Sequence, residues 1–221
     1  MTVKLIAFDM DGTLTTEPSS WEYVHRIFNL WEGRADAHMA RFLAGEITYE
    51  EFSLLDAMEW RGTEVSQLET AMSSIGYSQC AREAVQAARE VGAKVAIVSS
   101  GLALLAQRVG RELGVDWVFA NELVPSADGV LTGEVVINVS IDDPGLTKAA
   151  IVRRLRQIAG ASKRDTWAVG DNWGDIPMFE EAGTAVMIRP SDQCYQRALL
   201  SAPHTVRLDS LCSLVGILKN A

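Results

Sequence analysis

LIAFDMDGTLT, residues 5–15, decides the fold. An apolar run from Val3 to Phe8 stops at two aspartates, Asp9 and Asp11, followed by Gly12-Thr13. A short run that is apolar throughout from Leu5 to Phe8 reads as a strand buried on both faces, as in a parallel sheet. Residues i and i+2 of an extended chain share a face, so both carboxylates are aimed at one point beyond the strand's end. Two like charges held close together cost energy unless something uses or neutralises them. Gly12 permits close backbone approach at that point.

Downstream the character changes. Residues 18–74 are rich in Trp, Glu, Arg and Met, with Trp21, Val24, Phe28 and Trp31 at helical spacing. Further helices are expected over about 35–44, 48–60 and 64–73, punctuated by Gly33, Gly45 and Gly62. After Gly76 helices and strands alternate. Helices are predicted at 82–91, 102–113, 149–159 and 176–182, and strands at 94–98, 117–120, 166–169, 184–188 and 205–208. Residues 123–137 read as a hairpin turning at Asp128-Gly129. The pattern predicts an α/β fold: a Rossmann-like parallel sheet with helices on both faces, plus a small inserted helical cap. The expected division is 1–14 and 76–221 for the core, and 15–75 for the cap.

The chain of 221 residues is 48% hydrophobic and 22% charged, which excludes global disorder. Its net charge of -9 argues against nonspecific binding to nucleic acid or to an anionic membrane. No stretch reaches the roughly 18 uninterrupted apolar residues of a membrane span. Met1 to Lys4 lead directly into a strand without a signal-peptide pattern, so a soluble cytoplasmic protein is expected. Cys80, Cys194 and Cys212 lack metal-ligand spacing and are expected to be reduced, mostly buried thiols.

Ligands of open parallel sheets sit at the carboxyl ends of the strands, and the unusual polar residues of this chain collect at four such ends. At the first, Asp9 suits nucleophilic attack on phosphorus and Asp11 suits proton donation and recovery. D-x-D-G also begins a calcium loop, but that loop needs a preceding helix and further oxygen ligands, and here a strand precedes. Two solvated turn aspartates are the plain alternative. At the second, Ser99-Ser100-Gly101 closes a strand and opens a helix; it is either an N-cap or an anion clamp. At the third, Lys148 stands near a helix start, one of five lysines in the chain. It is either a solvated residue or a point charge for phosphate oxygens. At the fourth, Gly170-Asp171-Asn172-Trp173-Gly174-Asp175 brings two further acids. Four carboxylates call for a hard cation, and oxygen ligands suit Mg²⁺.

D-M-D-G-T (9–13), Ser99, Lys148 and G-D-N-W-G-D (170–175), in that order, resemble the haloacid dehalogenase-like hydrolase superfamily. The helical stretch after the first motif, V-P-S-A-D-G-V-L-T-G-E-V (124–135) and D-I-P-M-F-E-E-A-G (175–183) are similar to its phosphoserine phosphatase branch. The resemblance implies a Mg²⁺-dependent phosphomonoesterase acting on a small phosphorylated metabolite. Asp9 would form an aspartyl-phosphate, Asp11 would be general acid and base, and Ser99, Ser100 and Lys148 would bind phosphate. Mg²⁺ would sit on Asp9, the Asp11 carbonyl and Asp171, with Gly12, Asn172 and Asp175 in support. A phosphatase for a different small alcohol phosphate, a phosphotransferase or mutase, and a non-catalytic phosphometabolite-binding module are the alternatives. The chain departs from that branch at three places. Gly174 stands where an Asn is usual. The cap arginine and glutamate positions that hold the amino acid fall at Asp56 and at Pro18, beside Glu17. Arg61 is the available substitute for the arginine.

Overall fold

The computed structural model describes residues 3–202 and 204–220. Strand β1 (Leu5–Phe8) is buried at every position. It lies parallel to β2 (Lys94–Leu102) on one side and β5 (Thr166–Gly170) on the other. With β3 (Trp117–Pro125), β4 (Leu131–Val136), β6 (Thr184–Ile188) and β7 (Thr205–Leu208) they form a sheet ordered β4-β3-β2-β1-β5-β6-β7. Among the described strands only β3 and β4 pair antiparallel, closing the predicted hairpin. The fold is therefore the expected Rossmann-like α/β sheet.

Strand alternation sends successive side chains to opposite faces, and each face meets its own helices. Ile6, Phe8, Val95, Ile97, Val169 and Val186 pack against α5 (Ala81–Glu90), α6 (Ala103–Leu113) and α10 (Leu211–Leu218). Leu5, Ala7, Ala96, Val98, Ala168 and Met187 pack against α7 (Lys148–Ala159), α8 (Ile176–Phe179) and α9 (Asp192–Ser201). Helix α7 starts where it does because the Thr147 hydroxyl accepts from the Ala150 N–H at 3.2 Å.

Between β1 and α5 lie α1 (Ser20–Ile27), α2 (Asp36–Leu43), α3 (Tyr49–Met58) and α4 (Val65–Ser73). Ser19 caps α1, and Thr48 with Glu51 forms a reciprocal capping box on α3. The helical spacing through Trp31 breaks early. Helix α1 stops at Ile27, Asn29 is left-handed at φ 57°, and Trp31–Ala35 is a distorted turn. Trp21 and Val24 of α1, with Leu68 and Met72 of α4, join the core cluster of the adjoining sheet face.

The cysteine expectation is corrected. Cys80, immediately before α5, and Cys212 in α10 form a disulfide across a sequence separation of 132, whereas Cys194 is a free, buried thiol. The pairing follows from α10 docking on α5, a tertiary contact that brings the Cα atoms within 5.0 Å. Among the described residues no helix is long and apolar enough to cross a membrane.

Candidate active site

The carboxyl ends of β1, β2 and β5 and the first turn of α7 converge on one cleft of about 270 Å³. Asp9 continues β1, its N–H donating to the Val169 carbonyl of β5 at 2.8 Å. Lys148, the first residue of α7, is buried and donates to Asp9 Oδ1 and Asp175 Oδ1, each at 2.6 Å. Burial disfavours the ammonium, but the charges of Asp175 and Asp9 outweigh it and hold the Lys148 pKa above its ordinary value.

The carboxylates are crowded. One oxygen each from Asp9, Asp171 and Asp175 lies within 4.8 Å of the others. Burial, then the Asp175 charge, drives the Asp9 pKa well above the usual carboxylate range. The same two causes push Asp171 up to about 7. Asp175 Oδ2 accepts from the Asp171 and Asn172 N–H groups at 2.9 and 3.1 Å, fixing the loop after β5. Asp171 Oδ1 accepts from Thr13 Oγ1 at 3.2 Å and Asn172 Nδ2 at 3.0 Å. Gly12 has φ +77°, and a Cβ there would stand 2.6 Å from Asp171 Oδ2. Only glycine serves at a left-handed position with a carboxylate so near.

Asp11 faces elsewhere. Its Oδ2 accepts from the Ser20 N–H at 2.9 Å and the Ser20 hydroxyl at 2.7 Å. Ser20 Oγ in turn accepts from the Leu102 N–H at 3.0 Å, tying α1 to β2. Asp11 Oδ1 is buried without a partner. Burial raises the Asp11 pKa to about 6, against the lowering effect of the Ser20 hydrogen bonds. A Cβ at Gly101 would collide with Asp11 Oδ2 and come within 2.7 Å of Ser20 Oγ.

Ser99 and Ser100 line the same cleft. The buried Ser99 hydroxyl accepts from the Gly101 N–H at 3.0 Å. The Ser100 carbonyl accepts from Trp21 Nε1 at 3.1 Å, Tyr49 Oη at 3.0 Å and Asn121 Nδ2 at 3.1 Å. Helices α1 and α3 are thereby latched to the end of β2.

The structure thus gathers Asp9, Asp11, Ser99, Ser100, Lys148 and Asn172 around one cleft, with Gly12, Asp171 and Asp175 packed beside it. The carboxylate cluster is Asp9, Asp171 and Asp175; the Asp11 side chain is turned toward Ser20. Three oxygen donors around one point, Asp9 and Asp175 buried and Asp171 partly buried, two with raised pKa values, form a donor set that fits a small hard cation. Sequence reasoning missed Ser20, Tyr49 and Asn121. Asn121 lies in β3, just past its buried Ala120, and the strand-end rule that singled out Asp171 would have found it. Neither residue aligned with the amino-acid-binding positions contributes a cation. Asp56 is buried, its Oδ1 2.9 Å from His38 Nδ1 and its Oδ2 3.5 Å from His25 Nε2. Arg61 is exposed beside Gly133 of β4 and does not line the cleft. Glu17 offers its carbonyl to the Gly12 N–H at 2.6 Å, and Trp173 is exposed.

The sequence matches the profile of haloacid dehalogenase-like hydrolases over residues 6–180. It is 30% identical over 183 residues to the phosphoserine phosphatase of Methanocaldococcus jannaschii, covering 83% of this chain and 84% of that one. Identity to the phosphoserine phosphatase of a Polaromonas species is 32% over 218 residues, covering 96% and 89%. A solved structure of a phosphoserine phosphatase as an analogue of its phospho-aspartyl intermediate has a TM-score of 0.78 at 25% identity, covering 98% of this chain and 99% of that one. The match over residues 6–180 and the identity to these relatives show that this chain belongs to the haloacid dehalogenase-like hydrolase family.

Proposed function

We propose that this protein is a Mg²⁺-dependent phosphomonoesterase acting on a small phosphorylated metabolite through an aspartyl-phosphate on Asp9. The observation that carries the reading is the buried Lys148 bridging Asp9 and Asp175 at the mouth of the sheet, 2.6 Å from each. A lysine so placed neutralises a nucleophilic carboxylate that must approach a phosphate dianion. Similarity to enzymes named phosphoserine phosphatase supports the same chemistry.

In this reading Asp9 attacks phosphorus in line with the leaving oxygen. Asp11 donates a proton to that oxygen, then takes one from the water that cleaves the acyl phosphate. Its Ser20 hydrogen bonds hold the carboxyl in place, and burial keeps its pKa near the working range, at about 6. Ser99, Ser100 and Lys148 bind the transferring phosphoryl group. Asp9, the Asp11 carbonyl and Asp171 would hold Mg²⁺, with Gly12, Asn172 and Asp175 fixing the loops around it. When bound, the cation supplies charge neutralisation between phosphate and carboxylates. Residues 15–75 are a cap whose closure excludes water while the phosphoryl group moves.

The test is phosphate release from p-nitrophenyl phosphate with Mg²⁺ or with EDTA, for the wild type and Asp9→Asn. Mg²⁺-dependent release that Asp9→Asn abolishes is expected. A binding module, with no turnover in either protein, would replace this reading if neither releases phosphate.

A further inference from the structure

The half of the cleft away from the carboxylates has a different chemistry. Met39, Phe42 and Leu43 of α2, Tyr49 and Phe52 of α3 and Ile141 line it. The Phe42 and Phe52 rings stack with centroids 5.2 Å apart, and Tyr49 meets Phe42 edge-on at 5.9 Å. The Tyr49 hydroxyl is committed to the Ser100 carbonyl and to Asn121, so its ring is what the cleft meets. Leu43 and Ile141 remain 75% and 51% exposed at the mouth, apolar surface that an apolar ligand would cover. Among the described residues lining the cleft, Lys148 is the only cation, and it is already bonded to Asp9 and Asp175. The nearby arginines of α2 and its flank are turned away: Arg34 pairs with Glu59 at 2.8 Å and Arg41 with Glu46 at 3.8 Å.

We infer that the leaving alcohol is uncharged and apolar, of arylalkyl type, and carries no second anionic group. The inference rests on the phosphomonoesterase reading and narrows its substrate class. A carboxylate on the leaving group would lose its hydration against Phe42 and Phe52 and find no cation in return. It would also add negative charge beside Asp9 and Asp11. An aromatic ring in that place gains buried apolar area and edge or stacked contacts with the Phe42–Phe52–Tyr49 wall.

The experiment compares kcat/KM for 2-phenylethyl phosphate, ethyl phosphate and O-phosphoserine at saturating Mg²⁺. All three release alkyl alcohols, so binding rather than leaving-group activation sets their order. The 2-phenylethyl ester is expected to exceed both others by about tenfold or more. Phe42→Ala, at a partly buried position, is expected to cut the ratio of the 2-phenylethyl to the ethyl ester at least about fivefold, mainly through KM. Phosphoserine hydrolysed as well as or better than the 2-phenylethyl ester would overturn the substrate class and leave the phosphatase reading standing. So would an unchanged ratio in folded Phe42→Ala. Absence of Mg²⁺-dependent hydrolysis of all three esters would instead overturn the phosphatase reading, and this inference with it.

Discussion

Lys148 and Asp9, 139 positions apart in sequence, meet through a buried Nζ to Oδ1 hydrogen bond of 2.6 Å. The same ammonium reaches Asp175 Oδ1 at 2.6 Å, so one cation joins α7 to the ends of both β1 and β5. Strand order makes this possible, because β1 and β5 are adjacent and parallel and therefore end at the same rim.

Removing that cation has two expected effects. Lys148→Ala leaves two buried carboxylates uncompensated, a loss of about 3–5 kcal/mol when a buried pair is broken this way. Turnover is expected to fall about a hundredfold or more, since the phosphoryl group loses its fixed positive charge. Chemical denaturation and steady-state kinetics read the two effects separately. A variant within twofold of wild type in rate would remove Lys148 from the chemistry.

Asp11→Asn separates proton donation from phosphoryl transfer. The rate for an alkyl phosphate should fall about 10²- to 10⁴-fold. Loss for p-nitrophenyl phosphate should be distinctly smaller, because nitrophenolate leaves without a proton. Equal losses for the two esters would show that Asp11 does not protonate the leaving group.

The carboxylate cluster predicts stabilisation by Mg²⁺ itself. A ligand that binds only the folded state at a hundred times its dissociation constant adds about 2.7 kcal/mol. Mg²⁺ should therefore raise Tm in wild type, and Asp171→Asn should reduce the shift. A shift of equal size in wild type and Asp171→Asn would place the ion elsewhere.

Asp116 supplies a pH dependence away from the cleft. Its carboxylate accepts from Lys94 Nζ at 2.6 Å and from the Val95 N–H at 2.9 Å. Burial works to raise its pKa, but these two bonds outweigh it and hold the pKa below 3.8. Around pH 4 the folded chain therefore binds fewer protons at this site than the unfolded chain. The stabilisation is complete above the unfolded value and is lost as pH falls through the folded one. Asp116→Asn should cost at most about 1 kcal/mol at pH 7, given the partly solvated partners. That cost should shrink toward pH 3 in urea melts; a cost that does not change with pH would contradict the assignment.

Much of this was legible in the chain because the informative signals are local. Apolar runs ending in Asp9 and Asp171 placed two strand ends, whereas β2 runs on past the expected stop at Ser99 to Leu102, and Thr205–Leu208 proved to be the last strand. Other features needed tertiary contacts. The Cys80–Cys212 disulfide depends on α10 lying on α5, which no spacing announces. The Asp11–Ser20 bond depends on how α1 enters after the turn at residues 11–14. The end of α1 at Ile27 was hidden because Phe28 and Trp31 keep helical spacing after the backbone has left it. Helices α9 and α10 were not among the expected elements, although Ser191 caps α9 and Leu211, Leu214 and Leu218 stand at i, i+3 and i+7 in α10.

The most direct measurement is acid quenching of the enzyme during turnover of a phosphate ester, followed by peptide mass spectrometry. A phosphoryl group on the peptide carrying Asp9, released by hydroxylamine and absent from Asp9→Asn, is the predicted result. A phosphorylated residue other than Asp9, or turnover retained by Asp9→Asn, would contradict the account.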